Sequence, residues 1–490
     1  MNRATPPRGE RPRPAPRPSH GRFEGWLAVA LCTVVLLAST AILERSRSFS
    51  RVLIELERGE RATPRSRAPA DARAEPVGLV ILVALDGLRA DRLRGPGARE
   101  AAPRLARLRD EALAFEQALA PAAHALVAHK ALLSGRSPGL LMLEETGADL
   151  LELAAVREPA DYLRATFERV QPHLAETFRA GGFRTAAFTD GIVLTTEAGF
   201  ARGFEQFDAS GGGLAATLGR ALAWLERVRG RRAFLFVQSS ELAGCVPGEE
   251  AGRHGGAAPE AAYAARLARL DAELGTFLDG LRARGLYEPA LLVLTAAHGF
   301  ALGEGATVGH GGLSLAELSV PLLLKFPQEH EQVPGTPAQP VELVDLAPTL
   351  LEACGLAPPA GLDGRALVAL ARRGGRACLV AETVLRGVRP GEASASASTF
   401  VRPGRWQVTH DPALAQASYA DLRTDPTGHA ARALPAEVAP ALLDALLERA
   451  RPALRPRLRA EGEPPAELVQ ALAELGYAEE ARLSSGPDGP

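Results

Sequence analysis

Val77–Leu85 reads VGLVILVAL, an unbroken apolar run that ends at Asp86. A strand apolar on both sides must be covered on both faces, which points to a central strand of a parallel sheet layered with helices. Ala233–Val237 and Ala290–Leu294 repeat the pattern, and each follows a stretch of helical periodicity, Ala221–Val228 and Tyr263–Arg284 respectively. Earlier in the chain, Pro103–Leu113 reads as a helix with proline in its first turn. Leu174–Arg179 reads as another, leading through Gly181 and Gly182 into a strand at Thr185–Phe188. This alternation specifies an α/β fold, a mostly parallel central sheet flanked by helices. Functional side chains in such sheets gather beyond the C-terminal ends of the strands, which singles out Asp86 and the His298–Gly299 loop.

After Leu367 the pattern changes. Ala377–Glu382, Thr399–Val401 and Trp406–His410 read as short strands, and Ala436–Ala450 and Pro465–Leu475 as helices, so residues 371–490 are expected to form a smaller α+β subdomain and helical tail behind a core at 77–370. The formal charge of -2 gives no electrostatic basis for a nucleic-acid partner. Cys32, Cys245, Cys354 and Cys378 are too few and too scattered for a disulfide framework or a zinc site.

Ahead of the core lies Gly25–Leu43, GWLAVALCTVVLLASTAIL, which contains no charge. As a helix it would span roughly 28 Å, close to the hydrocarbon thickness of a bilayer. Residues 1–24 form a basic arm of low apolar content carrying Arg3, Arg8, Arg11, Arg13, Arg17 and Arg22, longer than a cleaved signal peptide favours. The expectation is an uncleaved single-pass anchor at 25–43, followed by a linker at 44–76. Arg45, Arg47, Arg51, Arg58 and Arg61 nearly balance the arm, so charge bias leaves the orientation open.

Several strings recur in one order: ILVALDGLRADRL, APRLARLRDEALAFEQALA, FRTAAFTDGIVLTTEAGFARGFEQFD, VELVDLAPTLLEACGLAPPAGLDGRAL, SYADLRTDP and ELVQALAELGY. Between them, Thr295, His298, Gly299, Gly309, His310, Gly311 and Val320–Leu322 match a Thr-x-Asp-His-Gly-Glu, Gly-His-Gly and Val-Pro-Leu pattern. Together these resemble the sulfatase family of the alkaline-phosphatase superfamily, membrane-anchored bacterial members included, over nearly all of residues 77–478. The resemblance implies an alkaline-phosphatase-like fold and hydrolysis of sulfuric or phosphoric esters. It further implies a divalent metal (calcium or zinc) held by carboxylates, and, with the short arm, a large domain outside the cytoplasm.

The same alignment exposes departures. Ala120–Gly135, APAAHALVAHKALLSG, matches the family's nucleophile segment without gaps and puts Ala125 at the nucleophile, while Val127 and Ala128 replace its proline and serine. Ala297 stands at a metal-binding aspartate, Gly87 at a second one, and the best register puts Ala243 at the leaving-group acid. Asp86 and His298 remain as metal ligands by resemblance, with His310 as a further candidate, too thin a set for a hard cation that prefers several oxygens. Zinc could use two histidines and one carboxylate. His129, His310 and Arg89 are the substrate-binding candidates, and Asp86 with Arg89 is expected to hydrogen-bond loop backbone. Lys130 is expected on the surface of the nucleophile helix, and Asp190, Glu241 and Glu304 on the surface or capping loops. Three functions stay open: a membrane-anchored, catalytically degenerate pseudoenzyme with a binding or regulatory role; an active ester hydrolase with a non-standard metal site built on Asp86, His124, His129, His298 and His310; and a binder of sulfated or phosphorylated glycans without cleavage.

Overall fold

A computed structural model describes residues 76–138, 173–245, 259–304, 308–328, 336–382, 398–434 and 446, with short interruptions at 96, 197, 369, 371–375, 377, 412–415 and 429–430. The basic arm, the apolar segment 25–43, the linker and the C-terminal helices expected at 436–450 (Leu446 apart) and 465–475 lie outside the described residues. No helix among the described residues is long and apolar enough to cross a membrane.

The chain enters through β1 (Leu79–Leu85), then α1 (Pro103–Glu111), β2 (Leu113–Phe115), β3 (Ala118–Leu119) and α2 (Ala125–Ser134). It continues with α3 (Leu174–Ala180), β4 (Arg184–Phe188), β5 (Gln206–Asp208), α4 (Gly213–Arg227), β6 (Ala233–Ser239), α5 (Pro259–Ala283) and β7 (Ala290–Thr295). A hairpin of β8 (Ala301–Leu302) and β9 (Val308–Gly309) precedes β10 (Leu322–Lys325), β11 (Val341–Glu342) and α6 (Leu346–Ala353).

The central sheet has the order β2-β10-β7-β1-β6-β4-β5. β7, β1, β6, β4 and β5 run parallel, and β10 is antiparallel to both its neighbours. The apolar runs read from the sequence occupy its middle, where β1 is flanked by β6 and β7 and is buried on both faces. Helices α1, α4 and α5 pack together as one layer, and α2, α3 and α6 as another. Phe178 of α3 stacks on Phe234 of β6 with ring centroids 4.4 Å apart, in the offset geometry aromatic pairs favour.

Two boundaries differ from the sequence reading. Leu113 opens β2 rather than closing α1, because its pairing with Leu324 of β10 outweighs its helix propensity. α4 begins at Gly213, eight residues before the apolar periodicity becomes obvious at Ala221. Its start is hidden by Gly211, Gly212 and Gly213, which all take positive φ.

The C-terminal subdomain is a five-stranded antiparallel meander, β12 (Leu379–Glu382), β13 (Ser398–Arg402), β14 (Trp406–Asp411), β15 (Gln416–Ala420) and β16 (Arg432–Ala433). Leu379, Ala381, Val401 and Ala420 pack with Leu119, Ala123 and Leu318 in a second apolar core beside the start of α2. A buried ion group ties the two sheets: Arg376 pairs with Asp345 and Glu342, and Glu342 accepts the backbone N–H of Val380 at 2.7 Å.

Candidate functional site

Parallel register brings the ends of β1, β6 and β7 to one edge of the sheet, since Leu85 lies opposite Ser239 and Ala84 opposite Thr295. Asp86 leaves β1 there, fully buried. Its backbone continues the ladder, with its N–H donating to Ser239 O at 2.8 Å and its carbonyl accepting Ala243 N–H at 3.2 Å. Tyr263 of α5 secures the turn behind it. Its hydroxyl donates to Gly87 O at 2.9 Å and accepts the Arg89 N–H at 3.1 Å.

The Asp86 carboxylate is saturated by protein donors. His129 Nε2 lies 3.0 Å from both oxygens, Gln238 Nε2 donates to Oδ2 at 2.8 Å, and the Ala297 N–H donates to Oδ1 at 3.2 Å. His129 and Gln238 are themselves fully buried. One residue from α2, one from β6 and one backbone group after β7 therefore converge on the end of β1. Burial alone would raise the Asp86 pKa, but the charge and hydrogen bond of His129, the nearby His298 and the Gln238 donor outweigh it and hold the carboxyl below its ordinary value.

Ala125 opens α2, and His129 follows four residues later on the same helix face, so the alanine methyl faces the side of α2 that holds Asp86. Every residue of α2 is buried. Lys130 is among them, a correction to the surface position expected of it: the helix is enclosed all round and offers no solvent face.

His298 is buried with Nδ1 2.7 Å from Gly299 O, and His310 is half-buried with Nδ1 3.1 Å from Ala123 O. Their rings lie 4.5 Å apart, and the His124 ring is 6.0 Å from that of His310. Burial, reinforced by His310 and opposed by Asp86, pushes the His298 pKa down to about 3, so its ring is neutral at physiological pH. These three histidines form a group beside the Asp86 centre. Arg89 does not join it. Its guanidinium is engaged by both oxygens of Asp91, by Glu304 at 2.6 Å and by the Phe300 carbonyl at 3.1 Å.

The residues present do not fit a divalent cation. Both oxygens of the one carboxylate at the centre already face donors, and among the described residues no group of three or more His, Cys, Asp or Glu side chains is spaced to hold a metal. Gly87 also cannot host a second carboxylate in place: its φ is +86°, and an added Cβ would lie 2.7 Å from Ala243 N. The candidate ligand set Asp86, His298 and His310 is thus divided between a closed hydrogen-bonded knot and a separate histidine pair.

Gln238 escaped the sequence reading, although it left a signal as the first polar residue after the apolar run Phe234–Val237, at the functional edge of the sheet. Glu241 caps instead of catalysing: Oε1 accepts the Leu214 N–H at 2.6 Å at the N-terminus of α4, and the other oxygen pairs with Arg269. Glu241→Ala is expected to cost about 0.5–2 kcal/mol, the range for losing an N-terminal cap, read from urea unfolding midpoints. An unchanged midpoint would count against the cap.

A parallel sheet whose loops converge on an aspartate at the end of its central strand defines an alkaline-phosphatase-like architecture. The Sulfatase family pattern matches residues 247–356. Arylsulfatase K of Mus musculus is 30% identical over 176 residues, covering 34% of this chain and 30% of its own length, so the match spans less than a third of that relative. A solved 2-O glycosaminoglycan sulfatase superposes with a TM-score of 0.57 at 17% identity, covering 80% of this chain and 96% of that one. The phosphonate monoester hydrolase of Agrobacterium radiobacter gives a TM-score of 0.57 at 18% identity, covering 78% and 96%. Residues 247–356 thus carry the Sulfatase family pattern, and the fold is the one these hydrolases share.

Proposed function

We propose that this sulfatase-family protein is a catalytically degenerate member that binds rather than hydrolyses. The observation that carries this reading is the occupation of both Asp86 oxygens by His129, Gln238 and the Ala297 N–H inside a fully buried centre. A metal entering there would have to displace three donors and find its remaining ligands elsewhere, since calcium takes six to eight oxygens. Ala125 adds that the position aligned with the nucleophile carries only a methyl group, which can neither attack an ester nor bind a metal. The apolar segment 25–43 supports single-pass anchoring, and the sulfatase resemblance with the short arm supports a large domain outside the cytoplasm.

The test is metal analysis of the full-length protein together with assays on an aryl sulfate and an aryl phosphonate monoester. The expected result is no stoichiometric divalent metal and no turnover above the uncatalysed rate. Stoichiometric metal with turnover that disappears in Asp86→Asn would overturn the reading in favour of an active hydrolase with a non-standard site. As for the ligand, the histidine group of His124, His298 and His310 and the sulfatase relatives support a sulfated or phosphorylated glycan, held at the half-buried His310.

A further inference from the structure

Three crossovers bring arginines to the N-terminal edge of the parallel strands, the edge opposite Asp86. The junction of α4 and β6 supplies Arg227, Arg229, Arg231 and Arg232, that of α3 and β4 supplies Arg179 and Arg184, and the end of α5 supplies Arg284; all seven are exposed. Hydrogen bonds join them into one face. The Arg184 N–H donates to Arg232 O at 2.8 Å, Arg232 Nη1 to Gly181 O at 3.3 Å, and Arg229 Nη2 to Arg284 O at 2.8 Å. Carboxylates do not match this charge. Glu205 pairs with Arg184, Glu226 is shared by Arg229 and Arg284, and Glu352 borders the face, so seven arginines meet three glutamates, an excess of four. The Arg179 and Arg231 guanidinium groups make neither a hydrogen bond nor an ion pair among the described residues. On the β7 side of the same edge the cations are matched, Arg282 by Glu111 and Asp279, and Lys325 by Glu288.

The chain also enters at this face. The Val77 N–H donates to Ala353 O at 2.9 Å, and Arg232 Nη2 donates to the adjoining Cys354 O at 2.7 Å. The arginines therefore flank the point at which the segment after Leu43 reaches β1.

We propose that this face docks on an anionic phospholipid surface. The single-pass anchoring proposed above, on which this docking rests, holds the domain near a bilayer. It does not orient the domain, because the 32 residues 44–75 can extend to roughly 110 Å. Charge does. Arginines gain from anionic headgroups only within about a Debye length, roughly 8–10 Å, so an excess confined to the entry face favours one orientation. Their planar forks also meet phosphate oxygens with paired donors. Tethering raises the effective concentration of the bilayer, so a modest excess of charge is enough. Docking in this way has a consequence for access. β1 is seven residues long, so the opposite edge, with Asp86 and His310, stands roughly 23 Å away and faces solution.

The test is hydrogen exchange of the full-length protein with vesicles of phosphatidylcholine alone or mixed with phosphatidylglycerol, each separated by flotation. Flotation with the neutral vesicles reports the anchor, and exchange at residues 227–232 reports the face. Phosphatidylglycerol should slow exchange there about threefold or more relative to phosphatidylcholine, and about 0.5 M sodium chloride should reverse the effect. Arg179→Gln with Arg231→Gln should remove most of that protection, while Arg179→Lys with Arg231→Lys keeps it. Equal exchange with the two kinds of vesicle, or full protection in a glutamine double variant of unchanged unfolding midpoint, would overturn the proposal. Protection by soluble polyglutamate in place of phosphatidylglycerol would overturn it in favour of an acidic protein partner. A protein that floats only with phosphatidylglycerol, and is protected by it, would support the face and overturn the anchor; flotation with both without added protection would do the reverse.

Discussion

Asp86→Ala is expected to lower the stability of the protein by about 3–5 kcal/mol, since each buried donor left without its acceptor costs about 1–3 kcal/mol. The substitution leaves His129 Nε2, the Gln238 amide and the Ala297 N–H facing a methyl group that accepts no hydrogen bond. Because those donors belong to α2, β6 and the loop after β7, the loss should loosen the layer contacts around the whole C-terminal edge of the sheet. Asp86→Asn keeps the shape and should cost less. The pH dependence follows from the depressed pKa of Asp86 in the folded state. Stabilisation from such a group is complete above its unfolded pKa near 4 and is lost as pH falls through the lower folded value. The stability gap between wild type and Asp86→Asn should therefore be constant from pH 5 to 7 and shrink below about pH 4. Urea unfolding across that range is the measurement; an Asp86→Ala variant as stable as wild type would show that the knot contributes nothing.

Gly87→Asp, the substitution that would place a second carboxylate at the centre, should destabilise the protein by about 2–5 kcal/mol and bring no metal with it. Two costs add. A side chain at φ +86° pays roughly 1–2 kcal/mol for the left-handed backbone. Its Cβ then meets Ala243 N at 2.7 Å, Leu242 C at 3.0 Å and Ala243 Cα at 3.1 Å, all backbone, and forcing them aside costs about 1–3 kcal/mol. Gly87→Ala should share most of the loss, since the clash belongs to Cβ and not to the carboxylate. Unfolding midpoints of the two variants, with calcium and zinc titrations of each, test this. A Gly87→Asp protein of wild-type stability that binds calcium stoichiometrically would mean the loop yields readily and that the centre lies one substitution from a metal site.

The two variants probe the same arrangement from opposite sides, the packing of donors and backbone around the buried Asp86. The alignment of motifs already suggested a depleted centre, because Ala125, Ala297 and Ala243 are visible as letters. Which donors surround Asp86 is not visible there. That the His129 ring meets Asp86 is not legible in the sequence. The fork of Arg89 meets the neighbouring Asp91 and, from a loop more than two hundred residues away in sequence, Glu304, a pairing no local pattern shows. Gln238, the first polar residue of β6, carries no motif that marks its role, and Lys130 is buried where a charged side chain on a helix usually lies at the surface.

The sequence by itself determined the layers. Continuous apolar runs at Val77–Leu85, Ala233–Val237 and Ala290–Leu294 can be satisfied only in the middle of a covered sheet, and the helical periods between them supply the cover. Their order also determined that Asp86, Gln238 and the Ala297–His298 loop would meet at one edge, because parallel strands end on the same side. Only the tertiary structure decided what those residues do together. A carboxylate at a strand end is a metal ligand or the anchor of a buried hydrogen-bonded knot according to which donors lie within about 3 Å of it, and the donors at Asp86 come from parts of the chain 43, 152 and 211 residues away. Distances of that kind depend on helix placement and loop closure, which local pattern does not encode.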